Sequence, residues 1–447
     1  MSEHSDRRRG SVEVIAGVVT FATMSSILFV QPAVMTGTMT GTPTGMPPGP
    51  LITTTCLASA LASILMGVVG RCPIGMAPAM GENFFVVLTV IPLCARLTGV
   101  DAGDPEAWRL ALGVVFLSGV LFFLLSLLNV RRYLIDAISP GMRSAIASGL
   151  GLFIALIGLR NAGVVVSGPD GYVFGSLTGT DAVIFASGLV AIVTFQYWRI
   201  RGGMLWGILI AAMVATLLGR IEPGWPIGLP YDPRPVLCQA DISTAVAKWT
   251  QLFPLMAILV FMEVFGTLGT LVGVCESMGL RGGPDELPDV RRVFLADAGS
   301  TMLGALCGHS TLTSYIESCA GTEAGGRTGI VAIVTGGCFL GALFFTPLIV
   351  SVAGCLPITS SALVVVGTMM MRAAGQIDWN DPAESVPAFL VMTGMPFFGN
   401  IADGLIPGFV LYPVLKLLCG RGRQTRPATW GIAVVLILYL GLREWFS

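Results

Sequence analysis

Charged residues are scarce in this sequence. Only 11% of its 447 residues are Asp, Glu, Lys or Arg, whereas 54% are hydrophobic. Because roughly a quarter of an ordinary soluble domain is charged, this composition excludes a soluble protein. The mean hydropathy is +0.82, and repeated apolar stretches are each about long enough to cross a ~30 Å hydrocarbon core as a helix. The sequence therefore predicts an all-α polytopic membrane protein that contacts the lipid bilayer.

Several side-chain patterns are also missing. The ten cysteines include no Cys-x-x-Cys pair and are accompanied by only two histidines, His4 and His309, which argues against zinc or haem. Neither His-Glu-x-x-His nor Gly-x-Ser-x-Gly occurs, so we do not expect an enzyme. The net charge is −1 and the only basic run near the start is residues 7–9, so nucleic acid is not an expected partner. No cleavage-like stop follows that run, and no signal peptide is expected.

The apolar stretches fall into two sets of seven, separated by a polar, Pro-rich loop at 222–241. The first set lies near residues 12–33, 51–70, 78–95, 107–128, 142–160, 181–198 and 203–219. The second set lies near residues 250–275, 290–307, 309–320, 326–353, 356–374, 386–402 and 403–419. An apolar tail follows near 428–445, and hydropathy leaves open whether this tail is a complete span or a surface helix.

Basic residues cluster on one predicted side of the membrane, which the positive-inside rule assigns to the cytoplasm. The amino terminus is then cytoplasmic, and the expected location is the cell (inner) membrane. The uncharged loop 36–50 and the loop 163–180 then lie outside. The basic residues are Arg7, Arg8, Arg9, Arg131, Arg132, Arg199, Arg201, Arg281, Arg291, Arg292 and the run 416–426.

The two sets resemble each other at one point, because the sequence LRNAG at 159–163 ends the fifth segment and MRAAG at 371–375 ends its expected counterpart. Since seven is odd, a second copy enters the membrane from the opposite face, and the repeat is inverted. Two stretches rich in Pro and Gly, 71–81 and 304–313, are expected to break their segments into half-helices. Inverted repeats with discontinuous helices at the midplane are typical of secondary transporters.

Two glutamates fall within these apolar segments. Glu263 lies in mid-segment, and Glu317 follows the second broken stretch. A charged side chain at this depth costs about 2.5 to 3.5 kcal/mol on insertion scales, so such residues usually face a cavity and serve a function. The alternative for each is a neutral Glu that hydrogen-bonds to a neighbouring helix.

Four further residues beside the broken stretches are candidates for ligand contact. Asn83 can donate to and accept from a planar heterocycle, and Phe84 or Phe85 can lie against its face. The alternative is an Asn that caps the half-helix, with phenylalanines that face lipid. Tyr315 lies two residues before Glu317, and a Tyr whose hydroxyl is satisfied within the helix bundle is its alternative.

Four other polar residues were also considered. His309 is the only histidine of the membrane region, and its titration range suits proton traffic, although a capping or packing role is the alternative. Asp297 and Asp403 are flanked by small residues, and we expect them to tie helices together. Glu82 is interpreted as a charge at the level of the lipid headgroups.

Four stretches of the sequence resemble the AzgA-like hypoxanthine/guanine/adenine permeases of the nucleobase:cation symporter-2 group. The resemblance covers nearly the whole chain, including 159–163 and 401–404, and it is most specific at 310–329. The four stretches are APAMGEN at 77–83, FMEVFGTLGT at 261–270, STLTSYIES at 310–318 and GGRTG at 325–329.

This resemblance implies about fourteen transmembrane segments in two inverted seven-segment repeats, with two half-helices at the substrate site. A purine would bind in a core domain, at its border with a gate domain, through residues that fall here on Asn83, Glu263 and Glu317. The resemblance implies a cytoplasmic amino-terminal tail (1–11) and an extracytoplasmic loop (221–249). The core consists of 12–130, with segments 1–4, and 250–354, with segments 8–11. The gate consists of 131–220, with segments 5–7, and 355–447, with segments 12–14 and the apolar tail.

The sequence departs from the family pattern at four positions. The family usually has Asp where Glu263 stands and a second Asp where Gly266 stands. It usually has Thr where His309 stands and Asn where Gln31 stands. Glu in place of Asp makes the side chain at position 263 longer by one methylene group, and this difference is expected to shift which purine is preferred. The missing carboxylate at Gly266 bears on proton stoichiometry, and His309 is a candidate to compensate for it.

The function that the sequence favours is secondary active transport of purine nucleobases (adenine, guanine or hypoxanthine) by proton symport, with the core moving against the gate. Glu317 is expected to accept a ring N–H, and Glu263 to be a second ligand. The proton-coupling candidates are Glu263, Glu317 and His309. The full set of expected substrate contacts is Glu317, Glu263, Asn83, Phe84, Phe85, Tyr315, Ile316 and Gly81.

Other functions stay open at this point. The same scaffold could carry another planar or anionic solute, such as uracil, xanthine, urate or a dicarboxylate, because fold alone does not fix function. A passive channel and an intramembrane enzyme are more remote alternatives. No cofactor besides a coupling ion is expected. The sequence does not decide between a proton and sodium, and it does not say whether the chain forms a homodimer.

Overall fold

The computed structural model describes residues 2–128, 139–168, 171–222, 224–279, 289–422, 425 and 427–445. Some of the sequence-based expectations fall outside these residues. They concern Arg131, Arg132, Arg281, part of the basic run 416–426 and the expected boundary between core and gate at 130/131.

The first half of the chain is predominantly helical. Its helices are α1 (Ser2–Met24), α2 (Ile27–Met35), α3 (Pro48–Leu65), α4 (Met80–Phe85), α5 (Ile91–Thr98), α6 (Pro105–Leu127), α7 (Pro140–Asn161), α8 (Thr180–Tyr197) and α9 (Gly203–Leu217). Two π-helical turns, Met66–Gly70 and Val86–Val90, extend α3 and join α4 to α5. Its strands are β1 (Met76–Pro78) and the hairpin of β2 (Val165–Gly168) and β3 (Gly171–Phe174).

The second half repeats this character. Its helices are α10 (Ile242–Ala247), α11 (Trp249–Ser277), α12 (Val290–Leu306), α13 (Ser318–Glu323), α14 (Gly329–Ala342), α15 (Thr346–Ala353), α16 (Leu356–Met371), α17 (Pro382–Phe398), α18 (Ile401–Leu418) and α19 (Pro427–Trp445). Its strand is β4 (Leu312–Ser314). Short 3₁₀ turns, Leu343–Phe345 and Arg372–Gln376, follow α14 and α16.

Helix starts follow from residues that cap free backbone N–H groups. The Asp104 carboxylate accepts from the N–H of Glu106 at 2.9 Å, and the Ser139 hydroxyl accepts from Met142 at 3.2 Å. In both cases Pro occupies the first helical position, where its missing N–H costs nothing.

Ten helical stretches of the described residues are long and apolar enough to cross a membrane. Pro105–Leu127 and Pro140–Asn161, for example, coincide with the predicted segments 107–128 and 142–160. Two shorter apolar helices, Gly203–Leu217 and Thr429–Gly441, accompany them, and the second lies in the apolar tail. The prediction of a mostly helical multi-pass membrane protein is confirmed.

The break predicted at 304–313 is present, because α12 ends at Leu306, and the apolar segment 309–320 is therefore not one continuous helix. Its middle forms strand β4, and the helix that follows, α13, has only six residues. β-Branched Thr311 and Thr313 favour extended backbone. Gly308 takes a φ of +84°, a left-handed conformation that glycine adopts without steric cost and that separates this stretch from α12.

The break predicted at 71–81 is confirmed, because β1 interrupts the segment before α4 begins at Met80. β1 pairs antiparallel with β4, so the two broken stretches meet inside the helix bundle. The partner strand satisfies backbone groups that would otherwise be unpaired in an apolar interior.

The helices pack in two groups. In one group α7 packs on α16 and α17, α8 on α9 and α16, and α17 on α18. In the other group α3 packs on α14, α6 on α11 and α12, and α1 on α13 and α14. The pairing of α8 with α9 in the first half of the chain has a counterpart in the pairing of α17 with α18 in the second half, and most of the other pairings join the two halves.

Glycines allow two of these helix pairs to approach closely. A Cβ atom at Gly151 of α7 would lie 2.7 Å from the carbonyl oxygen of Gly367 of α16, and a Cβ at Gly367 would lie 2.5 Å from that of Gly151. Gly67 and Gly329 face each other in the same reciprocal way, at 2.5 and 2.1 Å. Any side chain at these positions would force the helices apart.

Polar ties hold other elements in place. The Tyr439 hydroxyl donates to Asp403 Oδ1 at 3.3 Å, so Asp403 ties α18 to the tail helix α19, as predicted. The loop before α10 folds back on the bundle, where the N–H of Asp241 donates to the carbonyl of Arg109 at 2.9 Å and Val236 packs against Gly308.

Candidate functional site

The two short strands form the frame of the candidate site. β1 and β4 pair with Ala77 opposite Thr313. The N–H of Tyr315 donates to the carbonyl of Gly75 at 3.1 Å, and the Tyr315 hydroxyl donates to the carbonyl of Pro78 at 2.5 Å. Tyr315 therefore fastens the strands together, which matches the alternative of a hydroxyl satisfied within the bundle.

Glu317 lies three residues after β4, immediately before α13. Its side chain is partly exposed, and the neighbouring Ile316 is 42% exposed. Its backbone carbonyl accepts from the Thr23 hydroxyl at 3.3 Å and from the N–H of Ala320 at 3.0 Å. No other described residue forms a hydrogen bond or ion pair with its carboxylate, which interacts with the backbone N–H of Glu317 itself, so this group is available to a ligand.

An opening lies in front of β4, along one face of α11. Gly266 and Gly269 are exposed although they lie within this long helix. A Cβ atom at Gly266 would have the Thr313 hydroxyl as its nearest neighbour, at 3.9 Å, and one at Gly269 would meet nothing within 4 Å. One turn further on, the Ile316 side chain reaches Gly273. Gly266 thus leaves open the space where the family pattern has a carboxylate.

Glu263 is fully buried one turn before Gly266. The Thr301 hydroxyl of α12 donates to Glu263 Oε1, whereas Oε2 has no partner among the described residues. The side chain is bonded to a neighbouring helix, as in the alternative considered for it. The structure therefore does not bring Glu263 to the opening beside Glu317.

Asp297 of α12 lies behind the strands and is also fully buried. The Thr267 hydroxyl donates to Asp297 Oδ2, and the Ser314 hydroxyl lies 3.5 Å from Oδ1. Asp297 thus ties α12 to α11 and β4, as predicted. It also interacts electrostatically with Glu263 and Glu82, so three carboxyl groups gather around the paired strands.

Glu82 is buried in the protein, although a charge at the level of the lipid headgroups is expected to be exposed. Its side chain is only 7% exposed, and it lies in the first turn of α4, directly after β1. Tyr315 interacts electrostatically with both Glu82 and Glu317, so both glutamates lie near the Tyr315 side chain. Among the described residues, no other residue forms a hydrogen bond with the Glu82 carboxylate, which interacts with its own backbone N–H.

Asn83 is fully buried, and both ends of its amide are occupied. Its Nδ2 donates to Gln31 Oε1 of α2, and its Oδ1 accepts from the Ser310 hydroxyl. A direct contact between Asn83 and a heterocycle would require these bonds to break. The structure therefore brings Asn83 beside the frame of the site, but not into the opening.

His309 is fully buried as well, and its two ring nitrogens both have partners. Nδ1 lies 3.1 Å from Gln31 Nε2, and Nε2 lies 2.9 Å from the Thr54 hydroxyl of α3. The two departures from the family pattern at positions 31 and 309 thus contact each other. No contact joins His309 to the space at Gly266, for which it was a candidate to compensate.

Gly81 and Phe84 lie where α4 meets α7. A Cβ atom at Gly81 would lie 2.3 Å from Leu150 Cδ2, so α4 and α7 approach too closely for a side chain there. The Phe84 ring packs edge-on against Phe153, with 6.0 Å between centroids. Phe84 and Phe85 are both fully buried in the apolar core. The expectation that they lie against a ligand would need this contact to open.

Comparison with known proteins identifies the chain. The Permease family model Xan_ur_permease matches residues 11–402. The chain belongs to this family. It is 36% identical over 432 residues to the guanine/hypoxanthine permease PbuG of Bacillus subtilis, covering 96% of this chain and 95% of that protein. It is 33% identical over 441 residues to the adenine permease AdeP of Escherichia coli, covering 98% and 94%.

The fold has relatives among solved structures. The transmembrane domain of a cyanobacterium bicarbonate transporter, BicA, matches with a TM-score of 0.61 at 15% identity, covering 96% of this chain and 97% of that chain. At this identity the match concerns the fold alone. The protein is a membrane permease and not an enzyme, as the family membership and the full-length relatives establish.

Two polar residues of the permease's frame were missed or misread in the sequence. In the sequence Gln31 stands out only as a departure from the family pattern. It lies within the apolar run LFVQPAVM, and because its amide is 0% exposed it must have hydrogen-bond partners. Glu82 was read as peripheral, although it directly follows a broken stretch. In both cases the indication in the sequence was a polar side chain within an apolar stretch, where water is not available to satisfy its hydrogen bonds.

Proposed function

We propose that this permease transports purine nucleobases, and that Glu317 is its main substrate ligand. The observation that carries the proposal is the carboxylate of the half-buried Glu317, which has no partner on any other residue in the described part of the chain and directly follows Ile316, whose side chain reaches α11 at Gly273. A purine presents ring N–H and exocyclic N–H donors, and a charged acceptor makes the stronger hydrogen bonds. The relatives PbuG, a guanine/hypoxanthine permease, and AdeP, an adenine permease, support the substrate class.

The substrate lies, in this proposal, between Glu317 and the first turn of α4. Glu82 offers a second carboxylate on the α4 side, and Ile316 with the glycine face of α11 supplies an apolar wall. Asn83 supports this turn from behind, in place of the direct contact expected from the sequence. The phenylalanines 84 and 85 act through packing of α4 against α7.

Coupling to protons is proposed to run through Glu263. A fully buried carboxyl group whose Oε2 lacks a partner is costly in its charged form, which favours a bound proton. Asp297 and Glu82 interact electrostatically with Glu263, so a change in the charge of one carboxyl group alters the protonation equilibrium of the others. His309 is a weaker candidate, because both ring nitrogens are already bonded.

Alternating exposure of the site is proposed to come from movement between the two groups of helices. The group of α7 to α9 and α16 to α18 corresponds to the gate, and the group that contains α1, α3, α6, α11 and α14 corresponds to the core. The matching pairings of α8 with α9 and of α17 with α18, with the reciprocal glycine contacts, support two inverted repeats of seven segments. The proposed setting is the cell (inner) membrane with the amino terminus inside.

The test is uptake of labelled hypoxanthine into membrane vesicles that contain the protein. Unlabelled adenine, guanine and hypoxanthine are expected to compete, whereas uracil is expected to compete weakly. A protonophore is expected to abolish accumulation. Uptake that only uracil or a dicarboxylate inhibits would overturn the substrate class, and accumulation that survives the protonophore would overturn proton coupling.

A further inference from the structure

Five buried polar side chains form a continuous hydrogen-bonded chain beside the site. Thr54 bonds to His309, His309 to Gln31, Gln31 to Asn83, and Asn83 to Ser310. All five are 0% exposed. They come from α2, α3, α4 and the stretch between α12 and β4, so the chain joins four parts of the sequence at one point.

The bonds run in a single direction. The Thr54 hydroxyl donates its hydrogen to the carbonyl of Leu51 at 3.2 Å, so it can only accept from His309. The proton of His309 therefore sits on Nε2, and Nδ1 accepts from Gln31 Nε2. Asn83 then donates to Gln31 and accepts from Ser310. Reversal of one amide would set two donors against each other, so the chain orients its members together.

The chain ends on the part of the frame that carries the proposed ligands. Asn83 directly follows Glu82 in the first turn of α4, and Ser310 directly precedes Thr311, whose carbonyl accepts from the N–H of Ala79 at 3.0 Å. The Asn83 to Ser310 bond thus fixes the start of α4 against the lead-in to β4. Loss of this hydrogen bond would allow Glu82 to move relative to Glu317.

We propose that Thr54, His309 and Gln31 are positioning residues of the substrate site, which act through Asn83 to hold the first turn of α4. This inference rests on the proposed function. A buried polar chain offers little net stability over apolar side chains of the same volume, but it selects one arrangement when all its members are satisfied. Its loss is expected to weaken substrate binding more than it lowers stability.

Two adjacent threonines allow a matched test. Thr54 and Thr55 both lie on α3, are both 0% exposed and both donate to the carbonyl of Leu51, at 3.2 and 2.7 Å. Within the described contacts, only Thr54 also bonds to His309. Thr54→Val is expected to raise the Kd for labelled hypoxanthine about five- to tenfold. Thr55→Val is expected to change it less than about twofold, and Thr54→Ser to restore most of the affinity.

Binding is measured on the purified full chain, together with the thermal midpoint. A raised Kd for Thr54→Val alone, measured per folded protein, supports the positioning role, and the midpoint of this variant is expected to fall somewhat because the buried His309 Nε2–H loses its acceptor. Equal Kd values for the two variants, or a Kd that rises only in proportion to lost folded protein, overturn it. If the wild-type chain binds no purine, the proposed function fails, and the positioning role fails with it.

The hydrogen-bonded chain itself is tested without any substrate. The sequence has two histidines, so a His4→Gln background leaves His309 as the single imidazole for ¹⁵N labelling. The expected spectrum is that of a neutral ring with its proton on Nε2. Thr54→Val is expected to shift this signal, and Thr55→Val is not. An imidazolium spectrum, or a proton on Nδ1, would overturn the directional chain whatever the substrate proves to be.

Discussion

Two groups of buried or half-buried charged side chains differ in how they are paired. Where α17 begins and α18 ends, Lys416 Nζ lies 2.9 Å from Glu384 and 3.3 Å from Asp381. The same Glu384 carboxylate accepts from the Tyr412 hydroxyl at 3.0 Å and the Ser139 hydroxyl at 2.7 Å. Every charge in this group is compensated, which is typical of a structural cluster.

The second group surrounds the paired strands and is left without opposite charge. In the part of the chain that the structure describes, no basic side chain pairs with any carboxylate of this group, which consists of Glu82, Glu263, Asp297 and Glu317. Their hydrogen bonds to other side chains are to hydroxyl groups or are absent. Carboxyl groups inside a membrane are costly. From this difference we infer that the first group holds helices together, whereas the second is available to the proposed ligand and proton.

The largest expected effect comes from removal of the free carboxylate. Glu317→Gln keeps the shape but lacks the charged acceptor, so uptake of hypoxanthine should fall about a hundredfold or more while the protein still inserts. Glu323→Gln is the matched control, because that Glu is exposed at the other end of α13. Normal uptake by Glu317→Gln would show that the free carboxylate is not the ligand.

The second effect separates binding from coupling. Glu263→Gln retains an acceptor for the Thr301 hydroxyl but cannot exchange a proton. Accumulation driven by a pH gradient should fall about tenfold or more, while exchange of labelled for unlabelled purine across the vesicle membrane should persist. Loss of exchange and accumulation to the same degree would assign Glu263 to binding or folding.

The third effect concerns stability at the compensated group. Lys416→Met leaves two carboxylates without their buried cation, so the thermal midpoint should fall by several degrees, roughly, with little change in the Kd for purine. Arg421→Met removes a half-exposed partner of Asp381 and should lower the midpoint much less. A raised Kd with an unchanged midpoint in Lys416→Met would make this cluster part of the site.

The same cluster should make the protein sensitive to acid. Burial acts to raise the pKa of Asp381, but the N–H of Ala383 and the Lys416 ammonium outweigh it and hold the pKa below its usual value. The stability that this pairing adds at neutral pH is therefore lost as pH falls through the lowered pKa. Melting curves at decreasing pH should converge for the wild type and Lys416→Met.

The smallest effect is expected in the open space on α11. Gly266→Ala places a methyl group where the nearest neighbour is 3.9 Å away, so folding should be unaffected and purine affinity should change within about twofold. In Gly404→Ala, by contrast, the new Cβ would lie 2.4 Å from the backbone nitrogen of Met395, and the yield of folded protein should drop. Equal yields of the two variants would deny that Gly266 borders an opening.

Hydropathy predicted most of the spans because length and apolarity are properties of single segments. The pairing of β1 with β4 depends on two stretches more than 230 residues apart, and the sequence showed only that each was broken. Glu263 and Glu317 were both predicted as site residues because they lie within apolar segments, and both lie near the paired strands. Their position in the apolar segments did not indicate which one faces the opening. That distinction depends on Thr301, which lies on another helix.

The polar chain was beyond sequence reasoning for the same physical reason. Gln31 and His309 are 278 residues apart, and each could be explained alone by packing or capping. Only the fold shows that Gln31 and His309 contact each other, and that the Asn83 amide bonds to Gln31 and to Ser310. A polar residue's role is set by its partners, which a single sequence does not supply.

The central claim is that the uncompensated Glu317 carboxylate binds the purine. The most direct measurement is equilibrium binding of labelled hypoxanthine to the purified wild-type and Glu317→Gln proteins, with Glu323→Gln as control. We predict saturable binding to the wild type and the control, and a Kd at least about a hundredfold higher for Glu317→Gln with an unchanged thermal midpoint. The same Kd for all three proteins would contradict the claim.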